Sequence, residues 1–214
     1  MLPLALVVAT LLASPKPAQP SPLHVACPAT PAAYTVVPAA RSCAALEVTG
    51  SIDASTATID PAFNVDVAPA QLAHPERGEA VLAGYAADGH TIFVQTLNAT
   101  GAFHLFIPLS PALAAGVQRL QVVSGTQSAE IVATSHKEPI AETLALDANH
   151  YLVAWNARQF PSIRVSAPNA VPLLLSGGTS TYEQRTIDST ARAIVLEFSD
   201  GVRSTSRPYR IFGR

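Results

Sequence analysis

The stretch that decides the fold is 191–212, "ARAIVLEFSDGVRSTSRPYRIF". Ile194, Leu196 and Phe198 share one parity, and Val195, Glu197 and Ser199 share the other. A period of two belongs to a strand, because successive side chains of an extended backbone leave on opposite faces. Asp200-Gly201 interrupts the run, and the extended texture resumes through "RPYRIF". Gly accepts a positive φ where a Cβ would clash, and an Asp carboxylate bonds nearby main-chain N–H groups. The pair therefore reads as the turn of a β-hairpin, with Asp200 as a turn residue rather than a reacting group.

The same texture runs upstream. "ALEVTGSIDASTATID" alternates apolar with small polar residues. "EAVLAGYAADGHTIFVQTL" reads as strand, turn and strand, with Ala87-Asp88-Gly89 as the turn and Ile92 and Val94 on one face. "GAFHLFIPL" places Phe103, Leu105, Ile107 and Leu109 on one side and His104 and Phe106 on the other, and Pro108 suits an edge or a strand end. "SPALAAGV" predicts a single helical turn capped by Ser110, with Pro111 at its first position and Gly116 closing it. "VQRLQVVSG" and "AEIVATS" predict a hairpin around Gly125. Beyond Pro139 come "HYLVAWNA", "SIRVSAP", "VPLLLSGG", "TYEQRTI" and the opening stretch. The expected class is all-β, with two consecutive β-sandwich units at 44–135 and 150–214 joined by a linker at 136–149.

The first residues differ in texture. "LPLALVVATLLAS" is an apolar run of signal-peptide length, too short to span a bilayer, so 1–18 is expected to be a signal peptide cut after Ala13 or Ala18. No Lys or Arg precedes the run, which departs from the usual signal. Residues 19–43 are rich in Pro and Ala and read as an extended tether. Export makes a Cys27–Cys43 disulfide the expected state; closing that loop is worth about 3 kcal/mol in a chain-entropy account. Two cysteines without a CxxC spacing make neither a zinc nor a redox site.

Charged residues are only 13% of the chain and the net charge is -2, with Lys and Arg scattered. That excludes a concentrated phosphate-binding face and hence nucleic acid as the expected partner. Arg203, Arg207, Arg210 and Arg214 read as solvated charges that protect a sheet edge.

The expected catalytic, cofactor-binding and metal residues are none. The histidines His24, His74, His90, His104, His136 and His150 lack HExxH or i, i+4 spacing. His90 and His104, with Asp88, are the one combination that strand pairing would bring together as a metal site. No GxSxG elbow marks a nucleophile. "SGGTST", Ser176 to Thr181, lacks the Lys and helix of a phosphate loop and reads as a turn. Asp53, Asp60 and Asp66 lack the Gly of a calcium loop. Asn98-Ala99-Thr100 matches a glycosylation sequon. Trp155, sharing a face with Tyr151 and Val153, reads as core rather than as a sugar platform.

The strand of Trp155, "FPSIRV", "LLLSGG" with Gly177 and Gly178, and "IVLEFSDGVRS" with Asp200 and Gly201 resemble small Ig-like or fibronectin-like β-sandwich modules of secreted bacterial proteins. The resemblance implies an accessory role and carries no catalytic residues. The expectation is an exported, non-enzymatic, secreted or periplasmic protein with a binding, adhesion or scaffolding role at the cell envelope, without cofactor. Its partner would be another envelope or extracellular protein or a glycan, and the mature chain would not span a membrane. The alternatives are a secreted metal-dependent hydrolase with an unmarked active site and a carbohydrate or small-ligand binder.

Overall fold

A computed structural model of the chain describes residues 42–73, 78–134, 137–147, 149–167, 171–183 and 193–210. The expected signal peptide, nearly all of the tether, Cys27, His24, His74, His136 and Arg214 lie outside the described residues.

The chain is all-β, built from antiparallel sheets packed as sandwiches. The first sheet is centred on β1 (Cys43–Ile52), the longest strand. β2 (Ala57–Ile59) and β3 (Phe63–Val67) share one flank of β1: Gly50 faces Ile59 and Leu46 faces Asn64. The second sheet contains β4 (Ala80–Tyr85) and β5 (Thr91–Leu97). β6 (Gly101–Pro108) returns to the other flank of β1, with Leu46 opposite Ile107. Pro108 ends this edge strand, where its missing N–H costs no ladder bond. α1 (Pro111–Gly116) follows the expected pattern: the N–H of Leu113 donates to Ser110 Oγ at 3.3 Å. β7 (Arg119–Ser124) and β8 (Gln127–Val132) complete the second sheet in the order β5-β4-β7-β8. Leu46, Val48, Leu82, Leu120 and Val122 fill the space between the two sheets. Removing each from water is worth about 2 kcal/mol.

One face assignment is corrected. Val94 is 60% exposed, whereas Phe93, Gln95 and Leu97 lie opposite Gly84, Leu82 and Ala80 on the core side. The register shifts between Gly84 and Tyr85. That irregularity lets Ile92 reach the core although Val94, of the same parity, does not.

The second correction concerns 136–149. Rather than a plain linker, this stretch holds β9 (Ala141–Ala145), paired with β10 (His150–Trp155) so that Leu144 faces Leu152. β11 (Ser162–Ser166), β12 (Leu173–Ser176), β13 (Thr179–Glu183), β14 (Ala193–Ser199) and β15 (Ser204–Arg210) come next along the chain. Together with β9 and β10 they form sheets of order β13-β10-β9 and β12-β11-β14-β15. Tyr151, Val153, Ile163, Val165, Ile194, Leu196 and Phe198 meet between them. Trp155 belongs to this core at 8% exposure, and its indole N–H donates to Phe160 O at 2.8 Å. The expected core role is therefore what the structure shows, and β1 begins one residue earlier than the expected boundary, at Cys43.

The β14–β15 turn is a hairpin turn, as read, but it is also buried. Asp200 is 4% exposed and Val202 is 0% exposed. Val202 leaves its own hairpin and packs in the core that Leu46 and Leu82 build. Main-chain bonds fix it there: Ala62 N–H donates to Gly201 O and Thr134 N–H to Asp200 O, both at 2.9 Å. Ser199 Oγ donates to Ala62 O at 2.6 Å. Asp200 organises the turn from within, accepting from the N–H groups of Val202 and Arg203 and from Arg203 Nε at 2.9 Å. The Arg203 guanidinium also donates to Ala115 O in the last turn of α1. Gly201 sits at φ +107°, and a Cβ there would meet Ile131 Cγ1 and Val132 O at 3.2 Å. Glycine is required both by backbone conformation and by the closeness of β8.

Candidate binding cleft

β1 gives Leu46 and Val48 to the inner core, so the odd-numbered Cys43, Ala45 and Glu47 occupy the outer face of the first sheet. Phe63, Val65 and Val67 of β3 and Phe106 of β6 share that face by register. A small apolar cluster of Cys43, Ala45, Val67 and Leu72 forms there, with Val65 and Phe106 against it. The sheet containing β11 and β14 approaches the same face, because Arg164 and Glu197 lie opposite one another on its outer side.

The meeting point is charged. Arg164 donates through Nη1 to Glu47 and through Nε to Glu197 Oε2 at 2.5 Å. Its guanidinium carbon lies 4.4 Å from the Phe63 ring centroid, a cation–π arrangement that also shields the ion pairs. Glu47 Oε1 is 2.8 Å from His104 Nε2, and the His104 ring lies against Phe106 at 4.8 Å. The result is a chain of side chains, His104–Glu47–Arg164–Glu197, that ties two sheets across residues far apart in sequence.

Beside this chain the sheets diverge and leave a cleft of about 460 Å³. Asn64, Val65, Asp66 and Val67 of β3 form one wall, with Phe106. Arg164, Ser166, Glu197 and Ser206 form the other, with Pro172 at the rim. Asn64 closes one end: its N–H donates to Ser204 Oγ at 2.8 Å and its Nδ2 to Ser204 O at 2.9 Å. Its Oδ1 is buried and finds no hydrogen-bond partner among the described residues. A volume of this size, with mixed apolar and polar walls, suits a ligand or a few side chains of a partner.

The residues singled out from sequence lie elsewhere. His90 is bonded to Asp88 at 2.7 Å in the exposed β4–β5 turn, whereas His104 is on β6 in the other sheet. Strands β5 and β6 do not pair, so the expected route by which these histidines would meet is absent. Among the described residues no group of three His, Cys, Asp or Glu side chains converges on a metal position. His150 is held by Asp147 at 2.7 Å. Asp53 accepts from the N–H and hydroxyl groups of Ser55 and Thr56, which hold its carboxyl well below the usual carboxylate range. Asp60 accepts from Thr49 Oγ1 at 3.0 Å. Asp66 is the one of that series at the cleft. In "SGGTST", Gly177 and Gly178 have φ near +90° and form the turn between β12 and β13, where Gly178 O accepts from Trp155 N–H at 2.7 Å. Asn98 is exposed between β5 and β6. Arg207 pairs with Glu138 at 2.9 Å on the edge strand β15. Cys43 is buried and is not a free thiol.

Sequence reading missed Glu47, Asn64, Arg164 and Glu197. Their signal was present: Glu47, Arg164 and Glu197 are each the single charge of an otherwise uncharged strand, in a chain with few charges.

The chain matches no protein-family model, no curated protein and no solved structure. Among the described residues, no helix is long and apolar enough to cross a membrane.

Proposed function

We propose that this is an exported, non-enzymatic β-sandwich protein with a binding or scaffolding role at the cell envelope, and that the cleft beside Arg164 is where it engages a partner protein. The carrying observation is the cleft itself, a mixed apolar and polar space held open by a charge network that joins separate sheets. The division into two consecutive sandwich units of Ig-like or fibronectin-like kind belongs to the same proposal. It is supported by the seven strands from β9 to β15, arranged as β13-β10-β9 against β12-β11-β14-β15. A Cys27–Cys43 disulfide is also part of it. Cys43 is not free and Cys27 is the only other cysteine in the sequence, so the bridge would tie the Pro/Ala segment to the cleft side of β1.

The hydrolase alternative is not favoured, because His90 lies in the β4–β5 turn and His104 on β6 of the other sheet, and each is committed to its own carboxylate. A sugar platform on Trp155 is not favoured, because the indole is buried.

The test is photocrosslinking in intact envelopes, with a benzophenone amino acid at Val67 in the cleft and, separately, at exposed Val94. A discrete adduct from position 67 and none from 94 is expected. Absence of an adduct from every surface position tried would remove the binding reading.

A further inference from the structure

The cleft runs along a free strand edge. Among the described strands, β3 pairs only with β1, and β15 pairs only with β14. In an antiparallel strand every second residue turns its N–H and C=O to the same side. On β3 and its lead-in that side is marked by Ala62, whose N–H bonds Gly201 O, and Asn64, whose N–H bonds Ser204 Oγ. Asp66 is the next residue in this series. Its main chain makes no such bond to β15, because the strands have parted and the cleft begins. Two successive edge positions are thus used to dock the β14–β15 hairpin, and the third opens onto the cleft.

The side chains around this third position have a definite character. Arg164 is already shared by Glu47 and Glu197, whereas Asp66 forms no ion pair among the described residues. Val65, Val67 and Phe106 supply an apolar floor on the alternate parity. The site offers main-chain pairing, an exposed carboxylate that favours a cation, and an apolar pocket at the two-residue spacing of a strand.

We propose that the occupant is an extended segment of a partner polypeptide that adds a strand to the free edge of β3 at Asp66. A Lys or Arg of that segment meets the Asp66 carboxylate, and its alternate apolar side chains meet Val65, Val67 and Phe106. This inference rests on the binding reading above and names the chemistry of its partner.

The test uses the full chain and three peptides: an alternating valine–lysine hexapeptide, its valine–glutamate counterpart, and the lysine peptide N-methylated at alternate residues. Amide resonances are followed by NMR. The lysine peptide is expected to shift the Val65–Val67 and Ser206 amides saturably. The glutamate peptide should bind about fivefold more weakly or worse, the range of an exposed ion pair. The N-methylated peptide, unable to pair along the edge, should not bind. Asp66→Asn should erase the preference for lysine over glutamate while retaining sensitivity to N-methylation. The proposal is overturned if the lysine peptide leaves these amides unmoved or if all three peptides bind alike. Shifts that track protein concentration alone would also overturn it, by making a second copy the occupant. If the peptides fail while Val67 still crosslinks in envelopes, strand addition falls and the binding reading stands; if no position crosslinks, the binding reading falls.

Discussion

Two Asp-Gly turns in this molecule share a local sequence signal and do different things. Asp88-Gly89 joins β4 to β5 in solvent: the Asp88 side chain is 73% exposed, and nothing lies within 4 Å of where a Gly89 Cβ would be. Asp200-Gly201 joins β14 to β15, yet the Asp200 side chain is 5% exposed and Gly201 is pressed against Ile131 and Val132. Both glycines have positive φ, and both aspartates accept main-chain N–H bonds two residues on. The local chemistry makes a hairpin in each case. The residue after each glycine sets the two turns apart: His90 remains in water, whereas Val202 enters a core made by strands of the first two sheets, β1 to β8.

The comparison is broken most strongly at the aspartates. Asp200→Ala removes a buried acceptor, leaves the Arg203 guanidinium without its carboxylate and frees the docked main chain, and should cost about 3 kcal/mol in urea unfolding. Asp88→Ala should leave the urea midpoint unchanged. Equal effects would show that the buried turn contributes no more than a hairpin.

The glycines sharpen it. Gly89→Ala meets only the backbone penalty of a positive φ, about 1 kcal/mol. Gly201→Ala adds the contacts with Ile131 and Val132 O and should cost about 2 kcal/mol, read as a larger fall in the midpoint.

The hairpins were legible because their signals are contained within a few residues, as were the Ser110 cap and the alternation of β14. The depth of the second turn was not, since nothing near Asp200 announces that Ala62, Ala115 and Thr134 will be its partners. β9 escaped for a related reason. "AETLA" looks polar because the residue it packs against the core, Ala141, is small, while its largest side chain, Leu144, faces out. Val94 was placed with Ile92 because parity holds only while register holds, and the irregularity at Gly84 and Tyr85 breaks it. The cleft draws its walls from several strands far apart in sequence, so no local motif encodes it.

A position remote from both turns supplies the smallest effect and a control. Tyr182 is buried, its hydroxyl has no hydrogen-bond partner among the described residues, and burial, with a lesser contribution from Tyr151, pushes its phenol up to about 12. The folded state thus holds the neutral phenol more firmly than the unfolded chain. This contribution is fully present below the ordinary value of 10.0 and is lost as pH rises towards 12. Tyr182→Phe removes an unsatisfied buried hydroxyl and should stabilise by about 1 kcal/mol at neutral pH. It should also flatten the fall in stability between those two pH values, measured by urea unfolding at each. A destabilised variant with an unchanged alkaline limb would show that the hydroxyl is satisfied in solution.

The central claim is that Val202 makes one cooperative body of the sheets on either side of it. It is tested by unfolding Val202→Ala in urea while monitoring Trp155 fluorescence, which reports the core that Val202 leaves, and hydrogen exchange at Leu82 and Leu120, which reports the core it enters. The account predicts a single transition for both probes, displaced to lower urea by the same amount. A shift at Leu82 and Leu120 with the Trp155 transition unmoved would contradict it.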